Sequence, residues 1–97
     1  VSNCFLSRQA SHDLDAIADY YLARNIDVGE ALFKDFTRKC ENLVRFPNLG
    51  RSYDHIRSGM RGIPLEGYII LYQVVDDGVE ILRVVGGRQD LEELLSD

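Results

Sequence analysis

The chain has 97 residues, 45% of them hydrophobic and 28% charged, with a formal net charge of −5. That is the size and composition of one globular domain, expected to span residues 1–97. The mixture excludes disordered, collagen-like and coiled-coil chains. No apolar run approaches the ~20 residues of a membrane-spanning helix, and no basic-then-apolar leader is visible, so a cytoplasmic protein with no membrane contact is expected.

The charge is unevenly placed. Residues 1–75 hold nine basic and nine acidic side chains, and residues 76–97 hold two and seven. The stretch from Lys34 to Arg61 is basic, with Lys34, Arg38, Lys39, Arg45, Arg51, Arg57 and Arg61 against Asp35, Glu41 and Asp54. Nonspecific nucleic-acid binding needs several Lys and Arg contacts to phosphate, so an acidic whole argues against direct nucleic-acid binding. Cys4 and Cys40 are far apart and form no CxxC, which points to reduced, packed thiols rather than a disulfide framework or a zinc site.

Ser2 to Leu6 reads as a first strand. Ser7 stands where an N-cap belongs, before a helix with an apolar stripe of Ala10, Leu14, Ile17, Ala18 and Tyr21. Asp13, Asp15 and Asp19 are expected near its start or on its outer face, and its end is expected near Arg24 and Asn25. Asp27, with Glu30 three residues on, resembles a capping box opening a second helix. Leu32, Phe33, Phe36, Cys40, Leu43 and Val44 form its apolar stripe. The short connection makes the two helices antiparallel neighbours.

Phe46-Pro47-Asn48-Leu49-Gly50 stops the second helix, and Arg51 to Gly59 lacks an apolar period and reads as a loop. Three β-rich runs follow, MRGIPL, YIILYQVV and VEILRVV, parted by Glu66-Gly67 and by Asp76-Asp77-Gly78, so an antiparallel meander is expected. Pro64 lacks a ladder donor, which assigns its run to an edge or a bulge. The run 68–75 is apolar on both faces and is expected at the centre. Gly86-Gly87 ends the last strand, and Asp90 to Leu95 can add a final helical turn or two. The expected architecture is α+β, a β-α-α-β-β-β order with the helix hairpin on one face of a mostly antiparallel sheet.

No nucleophile elbow, P-loop or zinc-protease motif is present, so no catalytic residue, metal or cofactor is assigned. His12 falls on a helix. His55, beside Asp54, is the better candidate for a perturbed imidazole. Tyr21, Tyr68 and Tyr72 have core-like spacing, which leaves Tyr20 and Tyr53 as candidate exposed contacts together with His55. Arg61 and Arg83 lie on strands, where they can bind a phosphate or carboxylate or pair with acids such as Asp76 and Glu80.

An ordered set of short motifs resembles the RelE/ParE superfamily of small bacterial toxins, and within it the ParE-like, plasmid-stabilisation branch. The set runs from Leu6-Ser7, Ala10, Asp13-Leu14 and Ile17-Ala18-Asp19-Tyr20 through Ala31, Phe36, Leu43, Pro47 and Leu49-Gly50-Arg51. It continues with Gly59-Met60-Arg61, the 67–72 run GYIILY and the 79–85 run VEILRVV, and closes on Gly87, Arg88, Asp90 and Leu91. The resemblance implies the toxin of a type II toxin–antitoxin pair, cytoplasmic and bound in a hetero-oligomer by a cognate, ParD-like antitoxin whose tail folds along it. ParE-like toxins act on DNA gyrase, whereas RelE-like toxins cleave mRNA on the ribosome with basic groups and often a Tyr, His or Glu. This chain has Gly86 where many members carry His, no Tyr after Tyr72 and an acidic end. Those departures favour gyrase, with Arg61, Arg83 and Arg88 as the expected target contacts. Cleavage of mRNA and a non-toxic antitoxin-binding module are the alternatives.

Overall fold

A computed structural model describes residues 3–88 and 91–95. Its elements are β1 (Asn3–Leu6), α1 (Arg8–Arg24), α2 (Ile26–Arg45), β2 (Arg51–Ser52), β3 (Met60–Leu65), β4 (Tyr68–Val75), β5 (Gly78–Gly86) and α3 (Leu91–Leu95). The strands form one sheet in the order β1-β5-β4-β3-β2. The β3-β4-β5 meander is antiparallel, as its turn residues predict, with β4 at the centre. β1 returns to pair with β5 in parallel, from Asn3 opposite Gly78 to Leu6 opposite Ile81.

Ser7 caps α1 as expected, its hydroxyl accepting from the Ala10 amide at 3.0 Å. The cap of α2 differs from the sequence reading. Asn25, not Asp27, accepts from an amide of the first turn, that of Val28 at 3.2 Å. Asn25 also donates its own amide to the Tyr21 carbonyl, so one residue closes α1 and opens α2. The side chain does the opening and the backbone N–H the closing, and Asp27 then sits inside the first turn where its charge favours the helix dipole. The stretch after Gly50 is likewise not all loop. Arg51 and Ser52 pair with Gly62 and Arg61, a two-residue strand too short to show a hydrophobic period. Pro64 lies beyond its reach, on a stretch of β3 with no outer neighbour, so its missing amide breaks no ladder.

Alternation along the strands makes two apolar layers. Ile63, Leu65, Ile70, Tyr72, Val79, Ile81 and Val84 face the helices and meet Ala10, Ile17, Leu32, Phe36, Cys40 and Leu43. Ala18, expected in the stripe of α1, is exposed instead. On the opposite face Met60, Leu71, Leu82 and Val85 form a smaller core, covered by Tyr53, Ile56 and Ile69 and by Leu91, Leu94 and Leu95 from α3. The short C-terminal helix therefore seals a sheet face that water would otherwise reach. Asp90, placed at its start by the sequence, and Ser2 lie outside the described residues.

Candidate functional site

Four of the candidate residues, Arg83, Arg61, Tyr53 and His55, occupy three places on the sheet and its loops, and Tyr20 and Arg88 lie apart from them. At the first, β5 carries an extra residue. Ile81 pairs with Tyr72 and Arg83 with Leu71, which leaves Leu82 as a bulge. β1 ends opposite Ile81, so beyond that point α1 supplies partners for the backbone of β5. Ser7 donates its hydroxyl to the Leu82 carbonyl at 2.9 Å, and Asp13 accepts from the Val84 amide at 2.9 Å. The Asp13 carboxylate also takes a two-pronged bond from Arg83, 2.8 Å from Nε and 3.0 Å from a terminal nitrogen. Both side chains are largely buried, at 19% and 16% exposure. The bonds to Asp13 hold the Arg83 guanidinium above its ordinary range, against the opposing effect of burial. Asp13 was expected on the outer face or near the helix start. It instead points at the sheet, and it is the acid that Arg83 pairs with, in place of Asp76 or Glu80.

The second place is the loop after α2. Arg61 donates to the Gly50 carbonyl at 2.8 Å and lies 3.4 Å from that of Asn48. The fully buried Tyr72 hydroxyl accepts from the Gly50 amide at 2.9 Å and donates to the Pro47 carbonyl at 2.7 Å. Burial pushes the Tyr72 phenol up, with the Gly50 bond and Arg61 opposing it. Gly50 has room for this only without a side chain, because a Cβ there would sit 2.7 Å from the Tyr72 ring and 2.9 Å from the Gly62 carbonyl.

The third place is the turn around residue 55. Asp54 accepts from the Gly59 amide at 2.7 Å, which closes the turn. His55 is exposed, its ring 6.0 Å from that of Tyr53. Tyr53 is half-buried against the smaller core, with the Arg51 guanidinium 5.6 Å above its ring. Tyr20 is 49% exposed on α1, with Arg24 stacked 4.0 Å over it. Arg88 is exposed in the turn after β5. Arg61, Arg83 and Arg88 thus do not converge as three equivalent cations: two are engaged inside the fold and the third faces solvent.

The helix hairpin carries exposed apolar surface. Leu22, Ile26 and Val28 are exposed at its tip, and beside them Ala18, Tyr21, Gly29 and Phe33 line a shallow apolar groove between α1 and α2. Such a groove fits the apolar face of an added helix. Among the described residues no group of three or more His, Cys, Asp or Glu side chains could hold a metal ion, and no helix is long and apolar enough to cross a membrane.

A helix hairpin laid on one face of a five-stranded sheet, with β1 parallel to β5 at the sheet edge, defines a small α+β domain class. A solved structure of the chromosomal ParDE TA system from P. aeruginosa shares that fold, at a TM-score of 0.72 and 24% identity over 88% of this chain and 95% of the other. Toxin ParE3 of Caulobacter vibrioides is 30% identical over 86 residues, covering 88% of this chain and 86% of the relative. The family described as ParE toxin of type II toxin-antitoxin system, parDE, matches residues 5–91. The chain belongs to the ParE toxin family.

Proposed function

We propose that this chain is the toxin of a ParDE pair in the bacterial cytoplasm, that it inhibits DNA gyrase, and that a cognate ParD-like antitoxin neutralises it. The family match over residues 5–91, almost the whole of a single toxin domain, carries this reading. Its residue content supports inhibition by binding over mRNA cleavage. Gly86 stands where many members of the superfamily carry His, and the last tyrosine is Tyr72, whose hydroxyl is engaged by Gly50 and Pro47.

The antitoxin tail is a segment that folds on binding, and its apolar side chains would cover Leu22, Ile26, Val28 and the groove between α1 and α2. Arg88, with Tyr20 and His55, supplies the exposed groups for target contact, and the half-buried Tyr53 lies beside His55. Arg61 and Arg83 contribute by shaping the surface around them.

The test is a supercoiling assay with purified gyrase, the chain alone, and the chain premixed with the product of the adjacent antitoxin reading frame. Loss of supercoiling, restored by the antitoxin, is the expected result. Pulse-labelling of induced cells gives the complementary reading, with DNA synthesis falling before protein synthesis. Uninhibited gyrase together with an early fall in translation would overturn the proposal in favour of mRNA cleavage.

A further inference from the structure

The two cysteines, 36 positions apart, meet in the fold. Cys4 projects from β1 toward α2, where it packs against the core layer that contains Cys40. Each thiol lies near enough to perturb the ionisation of the other. Both line one groove between the edge strand and α2, together with Thr37, Glu41, Val44 and Arg45. Cys40 is buried at its floor and Cys4 is half-exposed, so a reagent entering the groove reaches Cys4 first. A disulfide needs Cβ atoms about 4 Å apart. Two thiols that line one groove and perturb each other's ionisation need little further approach.

We infer that Cys4 and Cys40 form a thiol–disulfide exchange site, at which a low-molecular-weight disulfide is reduced while a bridge closes between β1 and α2. The roles of the two sulfurs follow from their exposure, since Cys4 is half-exposed and Cys40 is buried. The neighbouring thiol and burial push Cys40 above the ordinary thiol range, and the same neighbour lowers Cys4, which favours the Cys4 thiolate. The thiolate is the attacking form. Cys4 Sγ attacks one sulfur of the reagent RSSR, the S–S bond breaks, and RS⁻ leaves. The Cys40 thiol then loses its proton to solvent, and its sulfur attacks Cys4 Sγ and expels the second RS⁻. The dithiol gives up two electrons and two protons, and one RSSR becomes two RSH. A bridge made this way would fasten the edge strand to the longest helix.

The probe is glutathione disulfide, mixed with the folded full chain in defined ratios to reduced glutathione, followed by acid quench, alkylation and intact mass. The expected product takes no alkyl group and is lighter by about 2 Da, the two hydrogens lost, with Cys4 and Cys40 joined in a non-reducing digest. Cys40→Ser should stop at one glutathionyl group on Cys4, and Cys40→Ala serves if that variant does not fold. Cys4→Ser should leave Cys40 unmodified over the time in which the parent closes. A parent chain that keeps both thiols alkylatable, halts at the mixed disulfide, or links only between molecules would overturn the inference. Equal reactivity of Cys40 in the Cys4→Ser chain would overturn it too.

Discussion

Asp13 and Arg83, 70 positions apart, form a two-pronged ion pair that joins the middle of α1 to the bulge of β5. The third bond of the carboxylate, from the Val84 amide, makes Asp13 a substitute for a missing strand. β1 pairs with β5 only as far as Ile81, and the next backbone groups would otherwise be orphaned under the helix. Ser7 and Asp13 satisfy them in turn, so one helix does the work of two more residues of β1. The arrangement also explains why a strand arginine here is not presented to solvent.

Replacing Asp13 with Ala removes three bonds at once and leaves Arg83 without its counter-ion in a largely buried setting. A loss of about 3 kcal/mol of unfolding free energy is expected, with a smaller loss for Asp13→Asn, whose amide oxygen can still accept one bond. Urea titration of the single variants, Arg83→Ala and the Asp13→Ala/Arg83→Ala pair checks this. The double variant should lose less than the two singles summed, by about 1–3 kcal/mol. Additive losses would show that the pair carries no coupling.

Gly78 joins the β4–β5 hairpin to the sheet edge. It has φ +148, and a Cβ there would lie 1.9 Å from the Asn3 carbonyl oxygen. Gly78→Ala should therefore push β1 off β5 and cost about 3 kcal/mol or more. Amide hydrogen exchange should show protection lost first in residues 3–6. A variant with an unchanged β1 exchange pattern would mean that the strand tolerates the contact.

Much of this fold was legible from local pattern. The two helices, the meander, the central place of residues 68–75 and the helix hairpin on one face all follow from period and turn residues. What was not legible depends on long-range partners. Asp13 looks like any other acid on a helix, and only the bulge at Leu82 makes it a ligand of β5. A bulge has no sequence signature here, since Ile81 to Val85 alternates no differently from a regular buried strand. The meeting of Cys4 and Cys40 is hidden for the same reason, because it requires β1 to return to the far edge of the sheet beside α2. Position on a strand singles out Arg61 and Arg83, but it does not show that both bond inward while Arg88, in the turn after β5, faces solvent.

Tyr72 links pH to stability. Its phenol is held above its ordinary pKa of about 10, and Tyr68, desolvated and close to Tyr21, is shifted the same way. Below about pH 10 the folded and unfolded chains both keep these protons, and the full contribution is present. Above it the unfolded chain releases them first, so stability falls as pH rises. Tyr72→Phe should cost about 1–3 kcal/mol at neutral pH, because the Gly50 amide and Pro47 carbonyl lose their partner. It should also flatten the alkaline decline. Denaturant midpoints across neutral to alkaline pH test both, and an equally steep decline in the variant would assign it to other groups.

The arginines give the sharpest functional test, because their surroundings differ. Arg88→Ala changes an exposed turn residue and should alter stability by no more than about 0.5 kcal/mol. If Arg88 touches the target, inhibition of gyrase should weaken about tenfold, the equivalent of 1.4 kcal/mol. Arg61→Ala frees the Gly50 carbonyl from its side-chain donor, and Arg83→Ala undoes the link to Asp13. Each should lower the melting temperature, and any loss of toxicity should follow the loss of folded protein. Supercoiling inhibition normalised to the folded fraction separates the two effects. Undiminished inhibition by a folded Arg88→Ala chain would remove that residue from the contact surface and leave the exposed ring groups of Tyr20 and His55 as the next to replace.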